Sequence, residues 1–252
     1  MKIIAGAVLA VLAFAGSAFA VSGDACSVAA HLVHADAGLP RVAAAVKARN
    51  LTIAVAGTTS STLPGANGQA LAYPARLEAA LQKKLPDVTV KVISLVKPRQ
   101  TALEMAQGFS KLLRDEKPSL VVWQTGTADA MLGIAAEDFQ ATLEEAVNAL
   151  HAGGADVVFM NMQYSPRTDA VLSTEPYAEA IRWVALEHDV NLFDRQSIMR
   201  HWNELGTFDL LAGTKSLDTA AKVHDCIARL MAGLVVEAMS VDPVDPKEPT
   251  KQ

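Results

Sequence analysis

The stretch that decides the fold is LTIAVA at residues 51–56, a short run of apolar and β-branched residues that ends at Gly57. Similar runs follow at 88–93, 120–124, 156–160 and 190–193. Short apolar runs of this length, bounded by glycine, proline or polar residues, are typical of strands buried on both faces of a sheet. The sequence therefore predicts a buried strand at each of these places.

Segments with apolar residues at helical spacing lie between the predicted strands. They cover residues 74–84, 102–113, 137–151 and 176–188, and a further one at 220–239 closes the chain. Strands that alternate with helices of about 10–15 residues indicate a parallel sheet with helices on both faces. We therefore expect an α/β domain that binds its ligands at the carboxyl ends of the strands.

The first 20 residues have the pattern of a removable signal peptide. Lys2 precedes an apolar run over residues 3–15, and Ala18-Phe19-Ala20 supplies the small residues of a cleavage site. The alternative is a membrane anchor, which needs about 20 apolar residues. We expect cleavage after Ala20, a single domain over 21–240 and a disordered, proline-rich tail over 241–252.

Composition and charge limit the partners of the chain. Hydrophobic residues make up 51% of it, which is enough for a full core, and no segment after the signal peptide is apolar enough to span a membrane. The net charge of −5 argues against nucleic acid, which requires a basic surface. The histidines are scattered and no Cys-x-x-Cys pair occurs, so we expect no metal site and no cofactor.

The chain contains two cysteines, Cys26 just after the predicted signal peptide and Cys226 near the C-terminus. Two thiols in one exported chain most often pair, because the compartment they reach is oxidising. We therefore expect a disulfide between Cys26 and Cys226 and a periplasmic or secreted protein.

Four stretches resemble the SGNH (GDSL) hydrolase superfamily in order and spacing. They are IAVAGTTSS at 53–61 with YPARLE at 73–78, VISLVKPRQTALEM at 92–105, VVWQTGTAD at 121–129, and the segment 208–229. The resemblance implies a three-layer α/β/α flavodoxin-like domain with a central, mainly parallel sheet that hydrolyses esters of lipids or carbohydrates. It also implies a nucleophilic serine after the first strand, an oxyanion hole containing a glycine and an asparagine, and an Asp-x-x-His pair near the C-terminus.

Carried over position by position, the sequence departs from this family pattern at every catalytic place. Gly57 matches the motif glycine, but the nucleophile position falls on Thr59, whose extra methyl group restricts χ1 and crowds the line of attack. The oxyanion asparagine is replaced by Ala128, which has no side-chain donor. The Asp and His positions fall on Lys215 and Asp218, so the family's base is missing.

A shifted register is the alternative to this alignment. Ser60 and Ser61 are hydroxyls beside Thr59, and His224 follows Asp218 within the last predicted helix. Such a shift requires a gap, although the spacing from the first motif to the YPARLE stretch already fits without one. A surface or packing role for His224 is the simpler interpretation of its place in the helix.

The family's second block is also altered, since it reads Lys97-Pro98-Arg99-Gln100 where a glycine is expected. Losing one oxyanion donor typically costs about 10²–10³ in rate, and losing triad members leaves only residual catalysis. We therefore expect a catalytically impaired or inactive relative, a pseudoenzyme that binds a small acyl or glycan ligand. The alternative function is an active serine- or threonine-type ester hydrolase that uses Thr59, Ser60 or Ser61 with His224.

Overall fold

The centre of the fold is a sheet of five parallel strands in the order β2-β1-β3-β4-β5. The computed structural model describes residues 24–211 and 217–241, so the predicted signal peptide, Lys215 and all but the first residue of the predicted tail lie outside the described residues. The strands are β1 (Asn50–Gly57), β2 (Thr89–Val96), β3 (Leu120–Gln124), β4 (Asp156–Met160) and β5 (Asn191–Phe193). Each coincides with a predicted run to within a few residues.

Helices cover both faces of this sheet. In the described residues they are α1 (Pro40–Lys47), α2 (Gly68–Leu71), α3 (Tyr73–Lys84), α4 (Ala102–Ala106), α5 (Phe109–Asp115), α6 (Thr127–Leu132), α7 (Ala136–Ala152), α8 (Pro166–Asp169), α9 (Glu175–Glu187), α10 (Arg195–Glu204) and α11 (Leu217–Ala238). Three-residue 3₁₀ turns at Ala30–Leu32 and Thr59–Ser61 complete the element order.

Two separate cores lie on the two faces of the sheet, as a three-layer α/β/α domain requires. Along β1, Ile53 and Val55 belong to the core that contains buried residues of α3 and α11. The intervening Ala54 and Ala56 belong to the core that contains buried residues of α7 and α9. This alternation follows from the two-residue period of a strand, and it confirms the predicted fold class.

The strand order creates a switch point between β1 and β3. From β1 the chain passes to β2 on one side of the sheet, and it returns to β3 on the other side of β1. In open parallel sheets the crevice beyond the carboxyl ends of two such strands is where ligands bind. Gly57 and Gln124 are the last residues of these two strands.

The helices differ from the sequence-based expectation in three respects. The segment predicted as one helix over 102–113 forms two, α4 and α5, because the chain breaks at Gly108, a residue with a low helix propensity. The last helix begins at Leu217 rather than 220 and therefore includes Asp218. The sequence patterns did not predict α1, α2, α6, α8 or α10.

The predicted disulfide is confirmed. Cys26 and Cys226 are bonded, with their Cα atoms 5.0 Å apart, and the bridge joins the N-terminal segment to α11. None of the helices in the described part of the chain is both long enough and apolar enough to cross a membrane.

Candidate functional site

The nucleophile position lies directly after β1, at the switch point of the sheet. Thr58 is buried and extended, and the 3₁₀ turn Thr59–Ser61 follows it at once. Within this turn Thr59 is exposed, Ser60 is half-buried and Ser61 is buried. The Thr59 hydroxyl makes no hydrogen bond with any described residue, whereas the hydroxyls of its neighbours all do.

The side chain of Gln124 organises these hydroxyls. Gln124 is fully buried at the end of β3, and its Oε1 accepts from the backbone N–H of Thr58 at 3.1 Å. The hydroxyl oxygens of Thr58, Ser60 and Ser61 also lie 3.1–3.2 Å from Oε1. A carbonyl oxygen has two lone pairs, so these donors share it, and the Ser61 hydroxyl has a second partner in the Tyr73 hydroxyl at 3.0 Å.

Gly57 allows this close arrangement. A Cβ atom at this position would collide with the Ser61 Oγ and would lie 3.3 Å from Gln124 Oε1. Gly57 is therefore needed so that the turn Thr59–Ser61 can lie close to Gln124 at the end of β3. This requirement is independent of any catalytic role.

A second buried side chain, that of Arg195, also contacts the hydroxyl-bearing turn Thr59–Ser61, at Ser60. Arg195 is the first residue of α10 and only 1% exposed. Its Nη1 donates to Ser60 Oγ at 3.2 Å, and its Nη2 donates to the Ser60 carbonyl at 3.0 Å and to Gln163 Oε1 at 3.3 Å. Burial lowers the pKa of Arg195 to about 10, so the guanidinium stays charged at neutral pH.

His224 of α11 is buried in the same region, so of the two expected roles, surface and packing, the structure shows a buried packing position. Its Nδ1 accepts a hydrogen bond from the backbone N–H of Tyr73 at 3.0 Å. Burial lowers the pKa of His224 to about 3, and the nearby Arg195 and Arg76 add to this effect. The imidazole is therefore neutral, and since Nδ1 supplies the lone pair, Nε2 carries the hydrogen.

This tautomer determines what His224 can do. A general base needs its free lone pair directed at the proton it removes. The lone pair of His224 is already used by Tyr73, so the remaining nitrogen is a hydrogen-bond donor. No hydrogen bond joins an imidazole or a carboxylate to Thr59, Ser60 or Ser61 among the described residues.

The oxyanion block lies in α6, which begins just after β3. Ala128 is buried and its side chain has no donor to offer. The following residue, Asp129, accepts from the backbone N–H of Ala102 at 2.9 Å, and its other oxygen is buried without a partner. Burial raises the pKa of Asp129. Its hydrogen bond with Ala102 joins α6 to α4.

The position of the family histidine lies on the outer surface of α11. The Asp218 side chain is 75% exposed and pairs with Lys222 at 2.7 Å. Asp218 lines a different surface depression, together with Arg76 and Asp225. The position of the family aspartate, Lys215, lies outside the described residues.

A cavity of about 870 Å³ connects the remaining predicted residues. Thr59, Ser60, Ala128 and His224 line it, and Ser61 lies behind it against Tyr73. A volume of this size is typical of small-molecule sites. The structure thus brings these five positions together at the predicted edge of the sheet.

Sequence reasoning missed two residues that define the site, Gln124 and Arg195. Gln124 had a usable signal, since it is a polar residue at the end of an otherwise apolar run. Arg195 had none, because α10 was not predicted and the arginine reaches Ser60 across 135 residues of chain.

Several solved structures are similar to this chain. An α/β hydrolase enzyme from the metagenome of Lake Arreo, Spain, is 17% identical, with a TM-score of 0.60 over 75% of this chain and 96% of that one. A variant of an acetyl-xylooligosaccharide esterase from Geobacillus is 16% identical, with a TM-score of 0.59 over 73% and 94%. A two-domain esterase active on acetylated mannans is 14% identical, with a TM-score of 0.66 over 87% of this chain and 58% of that one.

At these identities the likeness establishes the fold alone. No curated protein matches the sequence significantly. Residues 25–241 do match the model of the non-GDSL lipase-like family, which covers most of the chain. Together with the three-layer fold, this match shows that the chain belongs to the non-GDSL lipase-like family.

Proposed function

We propose that this chain is an exported relative of the SGNH esterases that binds a small acyl or glycan ligand in its cavity without cleaving it. The observation that carries this proposal is the hydrogen bond from Tyr73 N–H to His224 Nδ1. It leaves the imidazole of His224 as a hydrogen-bond donor, so none of the described residues that line the cavity offers a base to activate a hydroxyl.

The replaced family positions support the same conclusion. Thr59 stands at the nucleophile position without a hydrogen-bonding base among the described residues, and Ala128 removes a side-chain donor from the oxyanion hole. Asp218, at the position of the family histidine, is an exposed partner of Lys222. Since removing triad members and a donor each costs orders of magnitude in rate, we expect ester hydrolysis to be very slow.

Export is proposed on two grounds. Residues 1–20 have the pattern of a signal peptide, and the disulfide between Cys26 and Cys226 suits an oxidising compartment. Intact mass of the protein recovered from a bacterial periplasm should correspond to cleavage after Ala20 and to an oxidised cysteine pair. A mass that retains residues 1–20, or two free thiols, would contradict this part of the proposal.

An active hydrolase is the second candidate, and one contact favours it. Arg195 Nη1 donates to Ser60 Oγ, so a positive charge is placed where it would stabilise a serine alkoxide. Ser60 would then act as the nucleophile in a shifted register, with Thr59 and Ser61 as the other possible hydroxyls.

Hydrolysis of p-nitrophenyl acetate and octanoate by the purified protein separates the two candidates. We expect turnover below about 10⁻² s⁻¹, against about 10 s⁻¹ for a median enzyme, and no covalent labelling by a fluorophosphonate probe. Matched variants are Thr59→Ala, Ser60→Ala and Ser61→Ala. Faster turnover or probe labelling that disappears in one of these variants would establish the hydrolase instead.

A further inference from the structure

The cavity carries positive charge that the described chain does not balance. Arg99, Arg167 and Arg195 line it, and no aspartate or glutamate does so in the described part of the chain. Arg99 and Arg167 are exposed and form no ion pair with a described residue. His224, which also lines the cavity, is neutral and offers an N–H.

Arg195 is the decisive member of this group. It is 99% buried, since its exposed fraction is 1%, and its hydrogen-bond partners are neutral oxygens of Ser60 and Gln163. Its Nε is buried without a partner, and the Tyr73 ring, 6.0 Å from the guanidinium carbon, is a weak compensating group. Buried charges in proteins are normally paired because desolvation is costly, so an anion from a ligand fits this site.

Other residues that line the cavity are apolar. Met131 and Leu132 are adjacent on α6 and each is 65% exposed, although both are large hydrophobic residues. Met199, Leu210 and Val223 form the buried wall of the same cavity. Exposed apolar side chains at the mouth of a cavity mark a surface for an apolar ligand, and methionine side chains adapt readily to flexible chains.

We propose that this cavity binds an acyl-chain carboxylate, with the carboxylate at Arg195 and the chain along Met131 and Leu132. The guanidinium of Arg195 and the Nε2–H of His224 provide donors for the two carboxylate oxygens. Arg99 and Arg167 add attraction at the mouth of the cavity. This inference rests on the proposed function, because it assumes a site that binds and does not turn over its ligand.

Isothermal titration calorimetry with three probes tests the ligand class. Decanoate has both the chain and the charge, 1-decanol has the chain alone, and acetate has the charge alone. We expect decanoate to bind at least about tenfold more tightly than either of the others, since it alone combines charge-assisted hydrogen bonds with burial of an apolar chain. Equal affinity for decanoate and 1-decanol, or no binding of decanoate, would overturn the proposal.

Variants of the arginines test the position of the carboxylate. Arg195→Gln should weaken decanoate binding by about tenfold or more. Because Arg195 also holds the turn at Ser60, the circular dichroism spectrum of this variant is compared with that of the parent chain to check that it folds. Arg99→Gln and Arg167→Gln are exposed substitutions and should each weaken binding about two- to fivefold. Arg114→Gln, an exposed arginine of α5 outside the cavity, should leave the affinity unchanged.

The same protein distinguishes failure of this inference from failure of the proposed function. If an acetylated oligosaccharide binds and decanoate does not, the carboxylate proposal is wrong and a binding function remains. If p-nitrophenyl decanoate is hydrolysed at ordinary enzymatic rates, the proposed function is wrong, whatever the affinity for decanoate. If decanoate binds but none of the arginine variants lowers the affinity for it, the carboxylate is not held at Arg195 and the inference fails.

Discussion

At the scale of single residues, the chemistry of the site depends on which nitrogen of His224 carries the hydrogen. The backbone N–H of Tyr73 occupies Nδ1, and burial holds the pKa of the imidazole near 3. Tyr73 is itself buried against Ser61, so α3, α11 and the hydroxyl turn are joined through one hydrogen-bonded path. His224 therefore acts as a structural acceptor on one side and a donor on the other.

The pKa of His224 predicts a pH dependence of stability. Because the folded pKa of about 3 lies below the ordinary value of 6.5, the unfolded chain binds more protons between these two values. Stability should therefore fall as the pH drops from about 6.5 toward 3, by up to about 1.4 kcal/mol per pH unit from this residue. Urea unfolding at about pH 7 and about pH 4.5 measures the difference.

A matched pair of variants isolates the contribution of His224 to that slope. Gln at position 224 retains an acceptor for Tyr73 N–H but does not titrate, so His224→Gln should flatten the dependence. His31→Gln, at an exposed histidine, should leave it as in the parent chain. An unchanged slope in His224→Gln would show that other groups cause the acid sensitivity.

At the scale of elements, α1 is attached to the sheet by a carboxylate from β4. Helix α1 begins at Pro40 and its own flanking residue, Leu39, provides no side-chain cap. The buried Asp156 accepts instead from the backbone N–H groups of Arg41 at 2.8 Å and Val42 at 2.9 Å, and it pairs with the Arg41 guanidinium at 3.0 Å. This arrangement satisfies donors that the first turn of a helix always leaves free.

Replacing this carboxylate should destabilise the whole domain. We expect Asp156→Ala to lower the free energy of unfolding by about 2–4 kcal/mol, because it leaves buried donors and one side of an ion pair without a partner. Asp156→Asn keeps an acceptor and should cost less. Urea unfolding measures both.

The surface ion pair of Glu116 with Lys91 provides the comparison. Glu116→Ala should cost about 1 kcal/mol or less, since exposed pairs contribute little. If Asp156→Ala lowered the free energy of unfolding equally little, α1 would not depend on the hydrogen bonds of Asp156 to pack on the sheet.

At the scale of the whole molecule, one covalent bond connects the N-terminal segment of the described chain to its last helix. The cysteines are 200 residues apart, and the bridge fixes the N-terminal segment on α11, the helix that also carries His224. A loop this long is the case in which the chain-entropy model gives its largest stabilisation.

Removing the disulfide should therefore lower stability without abolishing the fold. In the chain-entropy model the loss for a loop of this length is about 5 kcal/mol, and we expect a measured loss of up to that amount on reduction with dithiothreitol. The double variant Cys26→Ser, Cys226→Ser should match the reduced parent chain and should not respond to the reductant. A midpoint of urea unfolding that is the same with and without reductant in the parent chain would contradict this prediction.

The sequence by itself determined the five strands, most of the long helices and the pairing of the cysteines. These features depend on local periodicity and on a single possible pair of thiols, which can be recognised without knowing the packing. It also located Thr59, Ser60 and Ala128 at one edge of the sheet, because their motifs follow strand ends. His224, which the sequence placed only within the last helix, joins them in the folded chain. Asp218 departs from that expectation, since it lies on the outer surface of α11.

Only the tertiary structure decided what these residues touch. Ser60 meets Arg195 across 135 residues of chain, Tyr73 meets His224 across 151, and Thr58 meets Gln124 across 66. The tautomer of His224 and the charge of Arg195, which no described carboxylate pairs with, arise from burial and from these distant partners. No local pattern encodes either property, because both depend on groups that come together only after the sheet and its covering helices have packed.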